Sequence, residues 1–160
     1  MVQAVAAVAL ILASWFAIED IRLRENANAG NRALVDSAST GEVTAQVSQA
    51  VRSVFSYDYN RLEQSRAVAL QVLSGRAVEQ YEQVMGRVAE QAATSKLVVS
   101  TSVRSIGLTD LRPDSARALL FIDAQSIRTT DNHRTSTSAG LFVTARRVDG
   151  RWKIIDLTPA

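Results

Sequence analysis

Side chains able to do acid–base or nucleophilic chemistry are sparse in this chain, and the densest group of them is Tyr57-Asp58-Tyr59. A carboxylate between two phenols could act as a general base beside hydroxyls that polarise a carbonyl, as in isomerases built on cone-shaped sheets. The same residues have a structural reading. Tyr57 and Tyr59 would plug the open end of a core between helices, and Asp58 would cap the next helical turn by accepting from its free N–H groups. We favour the structural reading. Asp123 falls within an apolar stretch, where it faces either a pocket or the outer side of a sheet, the latter being the commoner case. His133 is the sole histidine and sits in the polar stretch Thr130-Asp131-Asn132-His133-Arg134, with no second histidine to build a metal site or a Ser-His relay. Cysteine is absent, and Gly140 and Gly150 are isolated, so neither a thiolate site nor a glycine-rich phosphate loop is available. No catalytic, cofactor-binding or metal-ligating residue is assigned, and no cofactor is expected. Tyr57, Asp58, Tyr59 and Trp152 remain as candidate interaction or structural residues, Trp152 as a core residue of the last hairpin.

The composition fits this poverty of chemistry. The chain has 160 residues, 47% hydrophobic and 21% charged, with 7 Gly and 2 Pro, which excludes a disordered or low-complexity protein and leaves room for one domain with an appendage. Lys plus Arg number 18 against 16 Asp plus Glu, a net charge of only +2. The cations are nearly all arginine and are scattered singly apart from Arg146-Arg147. No aromatic and basic stripe of the kind that binds single strands is present, so nucleic acid is not an expected partner.

The elements that must position these residues divide into helices first and strands afterwards. Ser39 and Thr40 offer an N-cap, after which Val43, Val47, Val51, Val54 and Phe55 recur at spacings of three and four and predict a helix with one buried face. The Tyr57 to Asn60 stretch interrupts it. A short helix from Leu62 to Leu73 follows, and Ser74-Gly75 separates it from a longer one, Arg76 to Ser95, with Val78, Tyr81, Met85 and Val88 as its stripe. Beyond Lys96 four strands are predicted, over Leu97–Leu108, Ala116–Ile127, Ser136–Val148 and Arg151–Leu157. The turn cluster Thr109–Ser115, the polar loop Thr129–Thr135 and the hairpin dipeptide Asp149-Gly150 separate them. The run Ala118-Leu119-Leu120-Phe121-Ile122 is apolar at every position, which predicts a central strand covered by helices on one side and by something else on the other. Helices followed by an antiparallel meander define an α+β class.

The amino-terminal segment from Val2 to Ile18 contains no charged residue, and as a helix it would extend about 26 Å, close to the thickness of a hydrocarbon core. Trp15 and Phe16 sit at its end, and Glu19, Asp20, Arg22 and Arg24 follow at once. A transmembrane helix over residues 1–18 is expected, retained uncleaved because neither a basic n-region nor a small-residue cleavage site accompanies it. Residues 19–40 then form a helical stalk, and residues 41–160 the folded domain. Read literally, Arg22 and Arg24 would hold that domain in the cytoplasm.

Taken together, the apolar span, the stalk, Ser56-Tyr57-Asp58-Tyr59 at the end of a helix, the glycine break before a helix carrying Tyr81, and the closing Val148-Asp149-Gly150-Arg151-Trp152-Lys153 resemble the Mce-associated membrane proteins of actinobacteria. The resemblance implies a nuclear-transport-factor-2-like cone, a fold also used by an assembly factor of type IV secretion systems. It further implies a non-catalytic accessory or scaffold subunit of a Mce lipid importer, single-pass in the plasma membrane, with its soluble domain outside the cytoplasm. Its partners would be Mce transporter subunits or another membrane protein complex, together with the lipid bilayer. Two alternatives share the architecture: a membrane-tethered isomerase- or lyase-like enzyme using the cone as a pocket, and an orphan assembly factor of a secretion system.

Overall fold

The computed structural model describes residues 37–160. The expected span over Val2–Ile18 and most of the expected stalk lie outside them, and among the described residues no helix is long and apolar enough to cross a membrane. Helix α1 runs over Ser37–Phe55. Its buried positions Val43, Val47, Ala50, Val51 and Val54 repeat at three and four residues, so one face is removed from water along most of its length. Ser39 and Thr40 lie inside this helix, which corrects the N-cap expected there. The Thr44 hydroxyl donates to the Thr40 carbonyl one turn back (2.9 Å), a bond that a helix interior accommodates.

After α1 come a two-residue strand β1 (Tyr57–Asp58), a single 3-10 turn (Tyr59–Arg61), α2 (Leu62–Val72) and α3 (Arg76–Ser95). Gly75, at φ +55°, lets the chain reverse between α2 and α3 in a conformation that a side chain would disfavour. Helix α3 buries Ala77, Tyr81, Val84, Met85, Val88 and Ala92, and Val78 of the predicted stripe is only partly covered.

Strands β2 (Leu97–Leu111), β3 (Ser115–Arg128), β4 (His133–Val148) and β5 (Arg151–Pro159) complete a five-stranded antiparallel sheet in the order β1-β2-β3-β4-β5. Two boundaries differ from expectation. Strand β2 continues to Leu111, because irregularities in its pairing between Val103 and Ser105 and between Leu108 and Asp110 absorb extra residues without ending the ladder. Strand β4 already begins at His133, so the polar residues read as loop are the solvated end of a strand paired with β3. Asp149 and Gly150 both have positive φ (51° and 77°), as a two-residue hairpin turn of mirror type requires.

The sheet has an inner face toward the helices and an outer face away from them. Along β3, Ala116, Ala118, Leu120, Ile122, Ala124 and Ser126 are buried, while Arg117, Phe121 and Gln125 between them are exposed. The expectation that β3 is covered on both sides is therefore corrected. Phe121 is 49% exposed and Phe142 39%, so among the described residues no second layer covers this part of the outer face. The core forms on the inner face, where Leu120, Ile122, Val143, Ile154 and Leu157 meet Val43, Val47 and Val51 of α1 in one buried cluster. The edge of β5 is closed by main-chain and amide contacts. The backbone N–H of Trp152 donates to Gln46 Oε1 (3.0 Å), that of Leu157 to Gln80 Oε1 (3.2 Å), and that of Ser74 to the Ile154 carbonyl (2.8 Å).

Candidate functional site

The Tyr57–Tyr59 junction is held in place by the turn that ends α1. The Thr101 backbone N–H donates to Ser56 Oγ (3.0 Å), and the buried Thr101 hydroxyl donates to the Phe55 carbonyl (2.8 Å). These bonds seat β1 against β2, with Tyr57 opposite Val99 and Asp58 opposite Val98. Tyr57 is buried, and loss of solvent pushes its hydroxyl well above the ordinary phenol value, so it remains a neutral core residue. Asp58 has extended backbone (φ −121°, ψ 125°) and its Oδ1 accepts the Asn60 backbone N–H (2.9 Å), while Arg61 lies 3.5 Å from Oδ2. It is the N-cap of the 3-10 turn. The Tyr59 ring packs against the edge of the core, and its hydroxyl lies 3.4 Å from Thr129 Oγ1. Hydrogen bonds from Thr129 and then Asn60 lower its pKa, with Lys96 adding a smaller electrostatic effect.

The structural reading of the three residues thus describes their contacts. The tyrosines close the end of the core, and the carboxylate serves its own turn. The other groups singled out from the sequence lie elsewhere. Asp123 is on the outer face, where it accepts from the Ser138 hydroxyl (2.6 Å) and from Arg104 through both oxygens (2.9 and 2.7 Å). The Ser138 hydrogen bond and then the Arg104 fork hold its carboxyl below the usual carboxylate range. His133 is exposed at the start of β4, and its backbone N–H donates to Asp131 Oδ1 (3.1 Å). Trp152 is 6% exposed on the inner face, and its indole Nε1 is buried with no hydrogen-bond partner among the described residues. Because Tyr57 belongs to the rows at the Thr135 end of β4 and Trp152 pairs with Arg147, the two are about 40 Å apart along that strand. They do not form one site.

Among the described residues the buried polar residues are Ser48, Thr101 and Ser126, so no fully buried residue is a carboxylate, an imidazole or a cation, although single oxygens of Asp110 and Asp156 are buried beside Arg112 and Arg76. No group of three His, Asp or Glu among them could hold a metal ion. Sequence reasoning missed the Arg104–Asp123–Ser138 cluster. Its members sit on three strands and meet only through the register of β2, β3 and β4, which the irregularity at Val103–Ser105 shifts.

A curled antiparallel sheet with helices packed on its inner face defines the nuclear-transport-factor-2-like α+β class, as comparison with solved structures bears out. A periplasmic fragment of TraM superposes with a TM-score of 0.64 at 16% identity, covering 77% of this chain and 99% of that one. VirB8 of Agrobacterium tumefaciens gives 0.57 at 13% identity, over 78% and 94%. An Ntf2-like protein involved in plasmid conjugation gives 0.51 at 14% identity, over 90% and 47%. In sequence, the chain is a distant homologue of the uncharacterized protein Rv1362c of Mycobacterium tuberculosis, 32% identical over 148 residues and 91% of this chain. It spans 63% of that relative's length. No family model matches the sequence.

Proposed function

We propose that this protein is a non-catalytic, membrane-anchored accessory or scaffold subunit of a Mce-type lipid transport complex in the cell envelope, with its cone outside the cytoplasm. The observation that carries the non-catalytic part is the placement of the ionisable groups. Asp58 caps a turn, Asp123 is engaged by Arg104 and Ser138 on the outer face, and the interior of the cone is lined by side chains such as Leu120, Ile122, Val143 and Ile154. An isomerase-like mechanism would need a base facing the interior. The Mce assignment is supported by the motif resemblance in the sequence, carried by Ser56-Tyr57-Asp58-Tyr59 and Val148-Asp149-Gly150-Arg151-Trp152-Lys153. The envelope location is supported by the apolar Val2–Ile18 segment and by likeness to the periplasmic fragment of TraM.

The test is purification of the tagged full chain from envelopes in mild detergent, with identification of what accompanies it in stoichiometric amount. Mce transporter subunits are expected. Recovery of secretion-system components in their place would refute the lipid-transport assignment, and recovery of the chain alone from every envelope preparation would refute a scaffold role.

A further inference from the structure

The outer face of the sheet carries two features that the fold does not use. The first is an apolar centre. Phe121 and Phe142 are half-exposed, Leu119 lies directly opposite Phe142, and Gly107 and Gly140 flank them on the neighbouring strands. The Phe121 ring lies against Gly140, 3.6 Å from where a Cβ would stand, so it rests over that glycine. The second feature is a basic end. Arg117 on β3, Arg146 on β4, and Arg151 and Lys153 on β5 all fall on this face near the β4–β5 turn. Among the described residues none of the four has an ion-pair partner. Of the carboxylates at this end, Asp110, opposite Arg117, and Asp156 are taken by Arg112 and Arg76, and the exposed Asp114 and Asp149 lie in the turns, so the four cations still outnumber the two uncommitted acids. Arg146 and Lys153 stand directly opposite each other across the β4–β5 ladder. Like charges in that position destabilise a sheet, so their placement costs the isolated fold something that an anionic ligand would return.

We propose that this face docks an acidic segment of a partner protein, whose apolar side chains cover Leu119, Phe121 and Phe142 and whose carboxylates meet Arg117, Arg146 and Lys153. The distance between the two features, about 13 Å along β4 from Phe142 to Arg146, suits a short peptide stretch with an apolar part and an acidic part. A bilayer fits less well, since a ring resting over Gly140 does not project into hydrocarbon. A nucleic-acid strand would need cations tracking beside the aromatic rings. Here the other flank of the rings is the neutralised Arg104–Asp123–Ser138 cluster. The inference deepens the scaffold reading, on which it rests, by stating the chemistry of the partner.

The test uses the full chain in phosphatidylcholine nanodiscs and three synthetic peptides that share one apolar half rich in Leu and Phe. Their other half carries Asp and Glu, Ser and Asn, or Lys. Binding is read by fluorescence anisotropy. The acidic peptide should bind about tenfold more tightly than the neutral one, and the difference should shrink as salt rises. The double variant Arg146→Gln/Lys153→Gln should remove that preference while melting no lower than the parent, and Phe142→Ser should weaken both peptides alike. Equal binding of acidic and neutral peptides, or a preference that survives in the double variant, overturns the proposal. So does the finding that the double variant loses binding only to phosphatidylglycerol vesicles or to an oligothymidylate. The scaffold reading fails separately: if cells lacking the protein import lipid normally, that reading is wrong whatever the peptides do. If import needs the protein and the peptides do not discriminate, only the docking face is wrong.

Discussion

Replacing Trp152 separates packing from hydrogen bonding at one buried side chain. The residue is 6% exposed on the inner face, and its indole N–H is buried without a partner among the described residues. Truncation to Ala removes the whole ring from a core that can collapse only partly, at a cost of roughly 3–5 kcal/mol. Against a net stability of about 5–15 kcal/mol that is a large fraction, and a domain of this size should melt on the order of 10–15 °C lower. Trp152→Phe has a different balance. It leaves a smaller cavity, which destabilises, and it deletes an unsatisfied donor whose burial costs about 1–3 kcal/mol, which stabilises. The two effects oppose each other, and the Phe variant should lie within about 1 kcal/mol of the parent. Thermal melts of the full chain in detergent, followed by far-ultraviolet circular dichroism, measure both variants without relying on the fluorescence that the substitution removes. A Phe variant as unstable as the Ala variant would refute the reasoning by showing that the indole N–H has a partner. An Ala variant that melts with the parent would show that the ring is not part of the core.

The remaining predictions address other parts of the fold. Asp58→Ala should lose a capping contribution of about 0.5–2 kcal/mol, whereas Asp58→Asn, which can still accept the Asn60 N–H, should melt close to the parent. Thr101→Val should cost about 0.5–1.5 kcal/mol in the same melts through loss of the bond to the Phe55 carbonyl, with little change in volume. Burial raises Tyr81 from the ordinary phenol value of 10.0 to about 12 and raises Tyr57 as well. The unfolded chain therefore releases these protons first, and the stability present below pH 10 should fall as pH rises from about 10 toward 12. Denaturant titrations across that range should show a shallower fall for Tyr81→Phe.

The helices and the α+β order were legible because their signals are local. Gly75, the Arg76 to Ser95 periodicity and the Asp149-Gly150 turn each specify a nearby backbone geometry, and each lies where the pattern predicts. Strand ends were less legible. Thr109 and Asp110 read as turn residues, yet the irregular pairing of β2 accommodates both within the ladder. The hydroxyl- and charge-rich start of β4 reads as loop because both faces of that end are solvated and no apolar alternation marks it. Ser39 and Thr40 have the side chains of a cap, but α1 is already helical at Ser37, so residue type alone misplaced the helix start. The Tyr57–Tyr59 junction could be read in outline, as a break that caps a turn. The outer-face groupings could not, since Arg104, Asp123 and Ser138, or Arg146 and Lys153, become neighbours only through a register that long-range pairing sets.

The central claim is that this protein supports lipid import by holding a complex together and not by chemistry. The direct measurement is uptake of a labelled lipid by cells in which the gene is deleted and then supplied as the parent sequence, as Asp58→Asn, or as a chain lacking residues 22–36, which keeps the apolar segment and all of α1. The account predicts that deletion lowers uptake, that Asp58→Asn restores it in full, and that the chain without residues 22–36 does not. A stably folded Asp58→Asn protein that fails to restore uptake, while the shortened chain restores it, would contradict the claim and place a catalytic role for the cone ahead of the scaffold.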